Sequence, residues 1–205
     1  MSRIIFNRYL YKDRKKLWNI VKYLKKDKPL LFIHTPKCSG SYAKKILTDL
    51  KIEIKGPGHK KASKKEKKIT FSIFRHPVDR FESFLNFRLQ EQKPRKDWPK
   101  NLNYAFNDKN VDLNEIVFKL SKEQIIGFHP FKTLEYWFAN LDIVIKVEEL
   151  KDFLLLFDYK YDEYKYEKEN ISLKTRGTFN TQSINKLNKI YNQDIMLYNR
   201  LFPND

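Results

Sequence analysis

The chain has 205 residues, with 42 Lys or Arg against 25 Asp or Glu, so its formal net charge is +17 at pH 7. Its content of 41% hydrophobic and 15% aromatic residues excludes a wholly disordered basic tail. Five glycines, eight prolines and one cysteine exclude a collagen-like architecture and an internal disulfide framework. The length predicts a single domain over residues 1–205, and the positive charge favours an anionic partner: nucleic acid, phosphate ester, sulfated glycan or membrane surface.

The first 28 residues are strongly basic, with ten Lys or Arg against two Asp. We predict a basic N-terminal helix here, with its core over residues 8–26. Charged residues interrupt the segment every few positions, which excludes a signal peptide, and no apolar stretch in the chain is long enough for a membrane span. The sequence therefore predicts a cytoplasmic protein without a membrane anchor.

Apolar runs at residues 30–34, 69–74 and 142–147 predict buried strands, and residues 51–55 alternate like a further strand. Helical spacing of apolar residues predicts helices from about residue 41 to 50, and over 77–90, 112–120, 148–157 and 181–201. Residues 92–110 are predicted to form a surface loop, whose Trp98, Tyr104 and Phe106 either stack on a sugar or adenine ring or anchor the loop. Alternating strands and helices predict an α/β domain with a central, mainly parallel sheet flanked by helices.

The first motif, TPKCSGSY at residues 35–42, joins a predicted buried strand to a helix. A tight loop before a helix directs backbone N–H groups and the helix dipole toward one point, which favours an anion. Lys37 adds a positive charge, and Ser39 and Ser41 add hydroxyl donors. The motif differs from the nucleotide-binding loop GxxxxGK[ST], because its lysine precedes its glycine. The alternative is an ordinary strand-to-helix turn capped by serine.

The second motif, FRHPVDRFES at residues 74–83, follows another predicted buried strand. Arg75 ends that strand, where ligands of open α/β sheets collect, and Ser83 lies two turns into the next helix. A guanidinium together with a hydroxyl suits a terminal phosphate. The alternative is that Arg75 caps a helix or pairs with Asp79; Arg80 is predicted to belong to such an ion pair.

Together these motifs resemble one family, the sulfotransferases that use 3′-phosphoadenosine 5′-phosphosulfate (PAPS). FIHTPKCSGSYAKKIL at 32–47 resembles their 5′-phosphosulfate loop, commonly FIHIPKTGGTS in the Golgi carbohydrate-type branch. ITFSIFRHPVDRFESFLNF at 69–87 resembles that branch's 3′-phosphate motif, usually RDPVDRFxS. IVIKVEELKDFLLLF at 143–157 and INKLNKIYNQDIMLYNRLF at 184–202 resemble its later strand–helix unit and its closing helix.

The resemblance implies a fold related to the P-loop kinases, PAPS as sulfuryl donor, 3′-phosphoadenosine 5′-phosphate (PAP) as product, and no metal. It implies a 5′-phosphosulfate site made by Pro36, Lys37, Cys38, Ser39, Gly40, Ser41 and Tyr42. It implies a 3′-phosphate site made by Arg75 and Ser83. It also implies that Lys174 and Arg176 lie in a late basic loop that returns over the nucleotide; the alternative for this loop is a solvated surface segment. The chain departs from the family pattern at Cys38, Ser39, Tyr42 and His76.

The resemblance also implies the catalytic roles. Lys37 would stabilise the charge that develops on the leaving phosphate. His59, in the GPGHK segment, stands where relatives carry a catalytic histidine and would be the general base for a hydroxyl acceptor. Nearby lysines would lower the pKa of His59 and keep it neutral. The alternative is a surface histidine; His76, Glu53 and Glu82 are weaker candidates for the base, and His34 is expected to be structural.

The implied acceptor is a carbohydrate hydroxyl, and the basic surface would suit an anionic glycan. Three other functions stay open at this point: a family member that binds the nucleotide without catalysis, a basic nucleic-acid-binding protein and a small-molecule kinase. The sequence contains no helix-turn-helix, zinc-finger or aromatic RNP pattern, which disfavours nucleic acid. The missing GK[ST] disfavours the kinase.

Overall fold

The structure is a computed structural model, and it describes residues 29–55, 62–63, 67–90, 94, 96, 98–108, 110–128, 133–162, 165–166 and 177–202. The predicted basic segment 1–28, the predicted base His59 and the basic residues Lys174 and Arg176 lie outside the described residues. What the sequence indicates for them stays a prediction.

Parallel strands form the central sheet of the described chain. They are β1 (Leu30–Phe32), β2 (Glu53–Ile54), β3 (Ile69–Ile73) and β4 (Ile143–Ile145), in the spatial order β2-β1-β3-β4. Phe32 pairs with Phe71, and Ile73 pairs with Ile145. Because every pairing is parallel and helices flank the sheet, the predicted α/β class with a mainly parallel sheet is confirmed.

The described helices connect the strands and cover the sheet. In chain order they are α1 (Gly40–Asp49), α2 (Pro77–Gln90), α3 (Tyr104–Asn107), α4 (Leu113–Lys119), α5 (Lys122–Gly127), α6 (Leu134–Phe138), α7 (Leu150–Leu155), α8 (Thr181–Ile190) and α9 (Asn192–Leu201). Short 3₁₀ helices lie at Lys100–Leu102 and Val147–Glu149. α2 begins at Pro77 as predicted, because proline lacks an N–H that the first helical turn would leave unbonded. Over the described ranges, no helix is both long and apolar enough to cross a membrane.

Both faces of the sheet are covered, which explains the continuous apolar runs of its strands. Every residue of β1, β3 and β4 is buried. On one face, Phe32 and Phe71 pack with Ile46 of α1 and Phe153 of α7. On the other face, Val144 packs with α6 and α9. A separate aromatic cluster around α2 joins it to α4, α5 and α8.

The interval 92–110, predicted as a surface loop, is partly folded onto the core. It contains the 3₁₀ helix Lys100–Leu102 and α3, and Trp98 is only 4% exposed. The Trp98 ring lies 5.1 Å from that of Phe106 and 5.8 Å from that of Phe128. Trp98 therefore anchors the segment, since burying so large a ring stabilises the packed conformation.

The helix predicted over 181–201 is divided at Tyr191 into α8 and α9. Tyr191 departs from helical geometry, with φ −95° and ψ 17°, and its ring packs 6.0 Å from that of Phe81. The second half then carries Asp194 to the start of α6, where its Oδ1 accepts a hydrogen bond from the Leu134 N–H at 3.0 Å. Apolar spacing continues across the break, so the sequence pattern does not reveal it.

Asp194 makes a pH-dependent contribution to stability. Burial raises the pKa of its carboxyl above the ordinary value, opposed by the Leu134 N–H and by Arg80. A raised folded-state pKa means that the folded protein binds the proton more tightly, so this contribution is full below the unfolded-state pKa, near pH 4, and is lost as pH rises through the folded-state pKa. Asp194→Asn keeps an oxygen facing Leu134 but cannot titrate. As pH rises from about 4 to 7, we therefore expect the free energy of unfolding to fall less in this variant than in wild type. Urea denaturation measures this difference, and identical pH slopes would contradict the assignment.

Candidate functional site

The two sequence motifs meet at the carboxyl edge of the sheet. In the order β2-β1-β3-β4, the chain continues outward from β1 to β2 and outward the other way from β3 to β4. Ligands of open parallel sheets bind at the carboxyl ends of the strands where the strand order reverses in this way. The segment after β1 contains the first motif, and the segment after β3 contains Arg75. The Arg75 Nη2 donates a hydrogen bond to the Ser39 Oγ at 2.9 Å, which joins the two segments directly.

The loop after β1 has an unusual backbone. Lys37 and Ser39 both lie in the left-handed region, at φ 60° and 56°. Such residues cost on the order of 1–3 kcal/mol each and form the concave backbone turns that bind anions. The buried guanidinium of Arg80 stabilises this loop, because its Nε donates to the Pro36 carbonyl at 3.0 Å. The sequence predicted an ion pair for Arg80; the structure adds this support of the loop, which the sequence did not indicate.

The N-terminus of α1 is open toward the motif. Ser39 occupies the N-cap position in left-handed backbone, and its side chain makes no capping hydrogen bond; its oxygen accepts from Arg75. The first turn of α1 also carries no acidic residue. An anion can therefore take the N–H groups and the positive dipole end of a ten-residue helix.

A buried hydroxyl pair fixes the end of β1. The Ser72 Oγ on β3 donates to the Ile33 carbonyl at 2.6 Å and lies 2.7 Å from the Thr35 Oγ1. Since the single Ser72 hydroxyl proton points to Ile33, Thr35 donates to Ser72. A polar residue inside the apolar run of β3 was the sequence signal for this contact, which the sequence analysis missed.

His34 packs against the start of α1, which agrees with the structural role expected for it. A Cβ placed on Gly40 would lie 1.7 Å from the His34 Nε2, so only glycine fits beside this imidazole. The glycine of the motif therefore serves a close approach between the strand end and the helix start.

The remaining predicted residues are distributed around the loop. The Lys37 Nζ lies 4.1 Å from the centroid of the Phe87 ring on α2. Ser83 is half-buried one helical turn before Phe87, so Lys37 reaches the face of α2 that carries Ser83. Ser41 is exposed on α1, whereas Tyr42 packs against the core.

The predicted basic loop with Lys174 and Arg176 is followed by Gly177, where the described chain resumes against α2. The Gly177 carbonyl accepts a hydrogen bond from the Asn86 Nδ2 at 3.5 Å, and the Phe179 N–H donates to the Glu82 Oε2 at 3.0 Å. Both partners lie on α2 within one turn of Ser83. The chain thus returns to the helix of the second motif directly after that loop.

A cavity of about 90 Å³ opens beside the contact between the motifs. It is lined by Cys38, Ser39, Ile73, Phe74, Arg75, His76, Asp79, Val147, Glu148 and Tyr198. The turn after β4 and the helix α9 thus supply Glu148 and Tyr198, which the sequence analysis did not assign to the site. No local pattern marks either residue, since both reach the cavity through long-range packing.

Burial shifts the pKa values of three side chains that line the cavity. It raises the pKa of the Cys38 thiol despite the nearby Arg80 and Arg75, so this cysteine stays protonated. It lowers the pKa of His76, with the Asp79 carboxylate opposing this effect. Burial and then the Glu148 and Asp79 carboxylates raise the pKa of Tyr198 to about 12. At neutral pH the imidazole is therefore largely uncharged and able to accept a proton.

No protein-family model, no curated protein and no solved structure matches this chain. Within the described residues, no group of three or more His, Cys, Asp or Glu side chains is placed to hold a metal ion. The functional interpretation therefore rests on the geometry of the loops after β1 and β3, which the Arg75–Ser39 hydrogen bond joins.

Gly40→Ala tests the close approach of His34. We expect the added Cβ to displace the imidazole and to lower the free energy of unfolding by about 1–3 kcal/mol. Gly127→Ala is the matched control: no heavy atom lies within 4 Å of its added Cβ, and Ala in place of a helical Gly stabilises by up to about 1 kcal/mol. Urea denaturation of both variants measures the difference, and equal effects would refute the packing argument.

Proposed function

We propose that this chain is a sulfotransferase that transfers the sulfuryl group of PAPS to a hydroxyl of a carbohydrate acceptor, on a fold related to the P-loop kinases. The supporting observation is the hydrogen bond between Arg75 and Ser39, 36 positions apart in the chain. It brings the segment that resembles the 5′-phosphosulfate loop against the segment that resembles the 3′-phosphate motif. Both segments leave neighbouring parallel strands at the edge where ligands of such sheets bind.

The residues present fit a nucleotide with two anionic ends. The uncapped N-terminus of α1, with the backbone of residues 36–41, suits the 5′-phosphosulfate. Arg75 and Ser83 suit the 3′-phosphate, since a guanidinium offers two parallel donors to phosphate oxygens. Ser39 would exchange its bond from Arg75 for a bond to the ligand, which leaves Arg75 able to turn toward the phosphate.

When bound, PAPS supplies a sulfuryl group for in-line transfer to an acceptor oxygen. Negative charge then develops on the leaving 5′-phosphate, and the Lys37 ammonium and the α1 dipole stabilise it. Lys37 first leaves the Phe87 ring, where a cation–π contact at a 44% exposed ring contributes only about 0.5–1 kcal/mol. The base that the resemblance implies, His59, lies outside the described residues.

Nucleotide binding is the first test. We expect PAP to raise the melting temperature in a thermal-shift assay, and ATP with magnesium to leave it unchanged. Arg75→Ala should weaken PAP binding at least tenfold, because it removes a charged two-pronged contact worth about 1.5–3 kcal/mol. Arg200→Ala, which removes an exposed arginine near the end of α9, is the matched control and should bind PAP as wild type does.

Other outcomes of this assay identify the alternatives. Stabilisation by ATP with magnesium but not by PAP would favour the kinase. Salt-dependent DNA binding without any response to PAP would favour the nucleic-acid-binding protein. Retained PAP binding in Arg75→Ala would remove Arg75 from the 3′-phosphate site.

Turnover is the second test, using a labelled sulfuryl donor against glycans, lipids, phenols and peptides. We expect Lys37→Met to lower kcat by about 10²–10³, the effect of losing one charge-stabilising donor, with a smaller loss of PAP affinity. Initial rates and PAP titrations of the same preparation separate the two effects. A chain that binds PAP and sulfates no acceptor would instead be a non-catalytic member.

A further inference from the structure

The cavity beside Arg75 contrasts with the rest of this basic protein. The chain carries a net charge of +17, yet the ionised side chains that line the cavity are one cation, Arg75, and two carboxylates, Asp79 and Glu148. A further anionic group would meet both carboxylates there. Hydroxyl groups suit such a lining instead, because they donate to carboxylate and imidazole acceptors. Of the anion-binding features, Lys37 and the α1 N-terminus belong to the adjoining loop, and Arg75 lies at the border between that loop and the cavity.

His76 stands at the junction of these two regions. Its backbone is fixed at the start of α2, where its carbonyl accepts from the Arg80 N–H at 2.9 Å and Pro77 follows. Its ring packs edge-on against Tyr198, with centroids 5.3 Å apart and an interplanar angle of 89°. The preceding residue, Arg75, bonds to Ser39 of the anion loop. His34, by contrast, is committed to its contact with Gly40.

We propose that this cavity receives the reacting hydroxyl of the acceptor, an uncharged sugar or other neutral alcohol, and that His76, rather than His59, accepts the proton of that hydroxyl. The inference rests on the proposed sulfuryl transfer. The acceptor oxygen forms its bond to sulfur as its proton passes to the imidazole. The bond between sulfur and the 5′-phosphate oxygen breaks, and its electron pair stays on that phosphate oxygen. His76 loses the proton to solvent afterwards.

Among the side chains that line the cavity, we expect His76 to change its protonation near neutral pH. Asp79 faces it from α2, Glu148 from the turn after β4, Tyr198 from α9 and Cys38 from the loop after β1. Burial raises the pKa of both Cys38 and Tyr198, so these two stay neutral. Burial lowers the pKa of His76, so the imidazole is in the accepting form at neutral pH. Turnover should therefore fall as pH decreases through the His76 pKa.

An NMR titration provides a readout independent of turnover. The imidazole signals of His76 are assigned by their loss in the His76→Gln spectrum. We expect the titration of the free protein to give a pKa below 6.5 for His76. Saturating PAP should shift the His76 signals, because Arg75 and Ser39 border the same cavity. Signals that do not respond to bound PAP would overturn the proposal.

Kinetics with neutral methyl glycosides, and with water as the minimal acceptor, test the role in transfer. We expect His76→Gln to lower kcat by about 10²–10⁴ and to abolish the acid limb of the pH profile, with PAP affinity kept within about twofold of wild type. Glu123→Gln, an exposed residue on α5 outside the cavity lining, is the control for handling and charge and should match wild type.

The outcomes separate this inference from the proposed function. Absence of PAP binding by wild type would overturn the proposed function. PAP binding and turnover with an unchanged pH profile in His76→Gln, or with the profile lost in His59→Gln instead, would overturn the role of His76 alone. A sulfated glycan that is a better acceptor than its desulfated form would overturn the neutral acceptor.

Discussion

The hydrogen bond from the Arg75 guanidinium to the Ser39 hydroxyl is the contact on which the candidate site depends. It is possible only because β1 and β3 are adjacent and parallel, so the segments that follow them emerge at the same edge of the sheet. Ser39 accepts this bond and makes no capping hydrogen bond to α1, so the N-terminus of that helix has no side-chain cap from Ser39. One contact thus joins the two loops beside a helix N-terminus that Ser39 does not cap.

This arrangement needs support, because two loop residues without glycine's freedom adopt left-handed backbone. The support comes from groups that pack behind the loop. Arg80 reaches from α2 to the Pro36 carbonyl, Ser72 holds the end of β1, and His34 packs where Gly40 has no side chain. These groups contact the loop and the strand end before it, and so fix the geometry of the loop. The rigid parallel strands carry the polar loop, as in other sheets that bind ligands at this edge.

Charge divides the site into two parts. Lys37 and the α1 N-terminus favour anions, whereas Asp79 and Glu148 favour hydroxyl donors in the adjoining cavity. The net charge of +17 favours an anionic acceptor. An acceptor that enters the cavity, however, contacts Asp79 and Glu148 directly. Exposed charges farther away are screened over about a Debye length. Net charge is therefore a weak guide to what this cavity receives.

The sequence by itself determined the α/β class, three buried strands, the start of α2 at Pro77 and the positions of two polar loops that follow buried strands. Local rules suffice for these features, since apolar periodicity, proline geometry and a polar break after a strand act within a few residues. Only the tertiary structure decided the break at Tyr191, the folding of Trp98 onto the core, and the arrival of Glu148 and Tyr198 beside His76. These features depend on contacts between residues far apart in the chain, such as Tyr191 with Phe81, and side-chain packing across such distances leaves no local pattern.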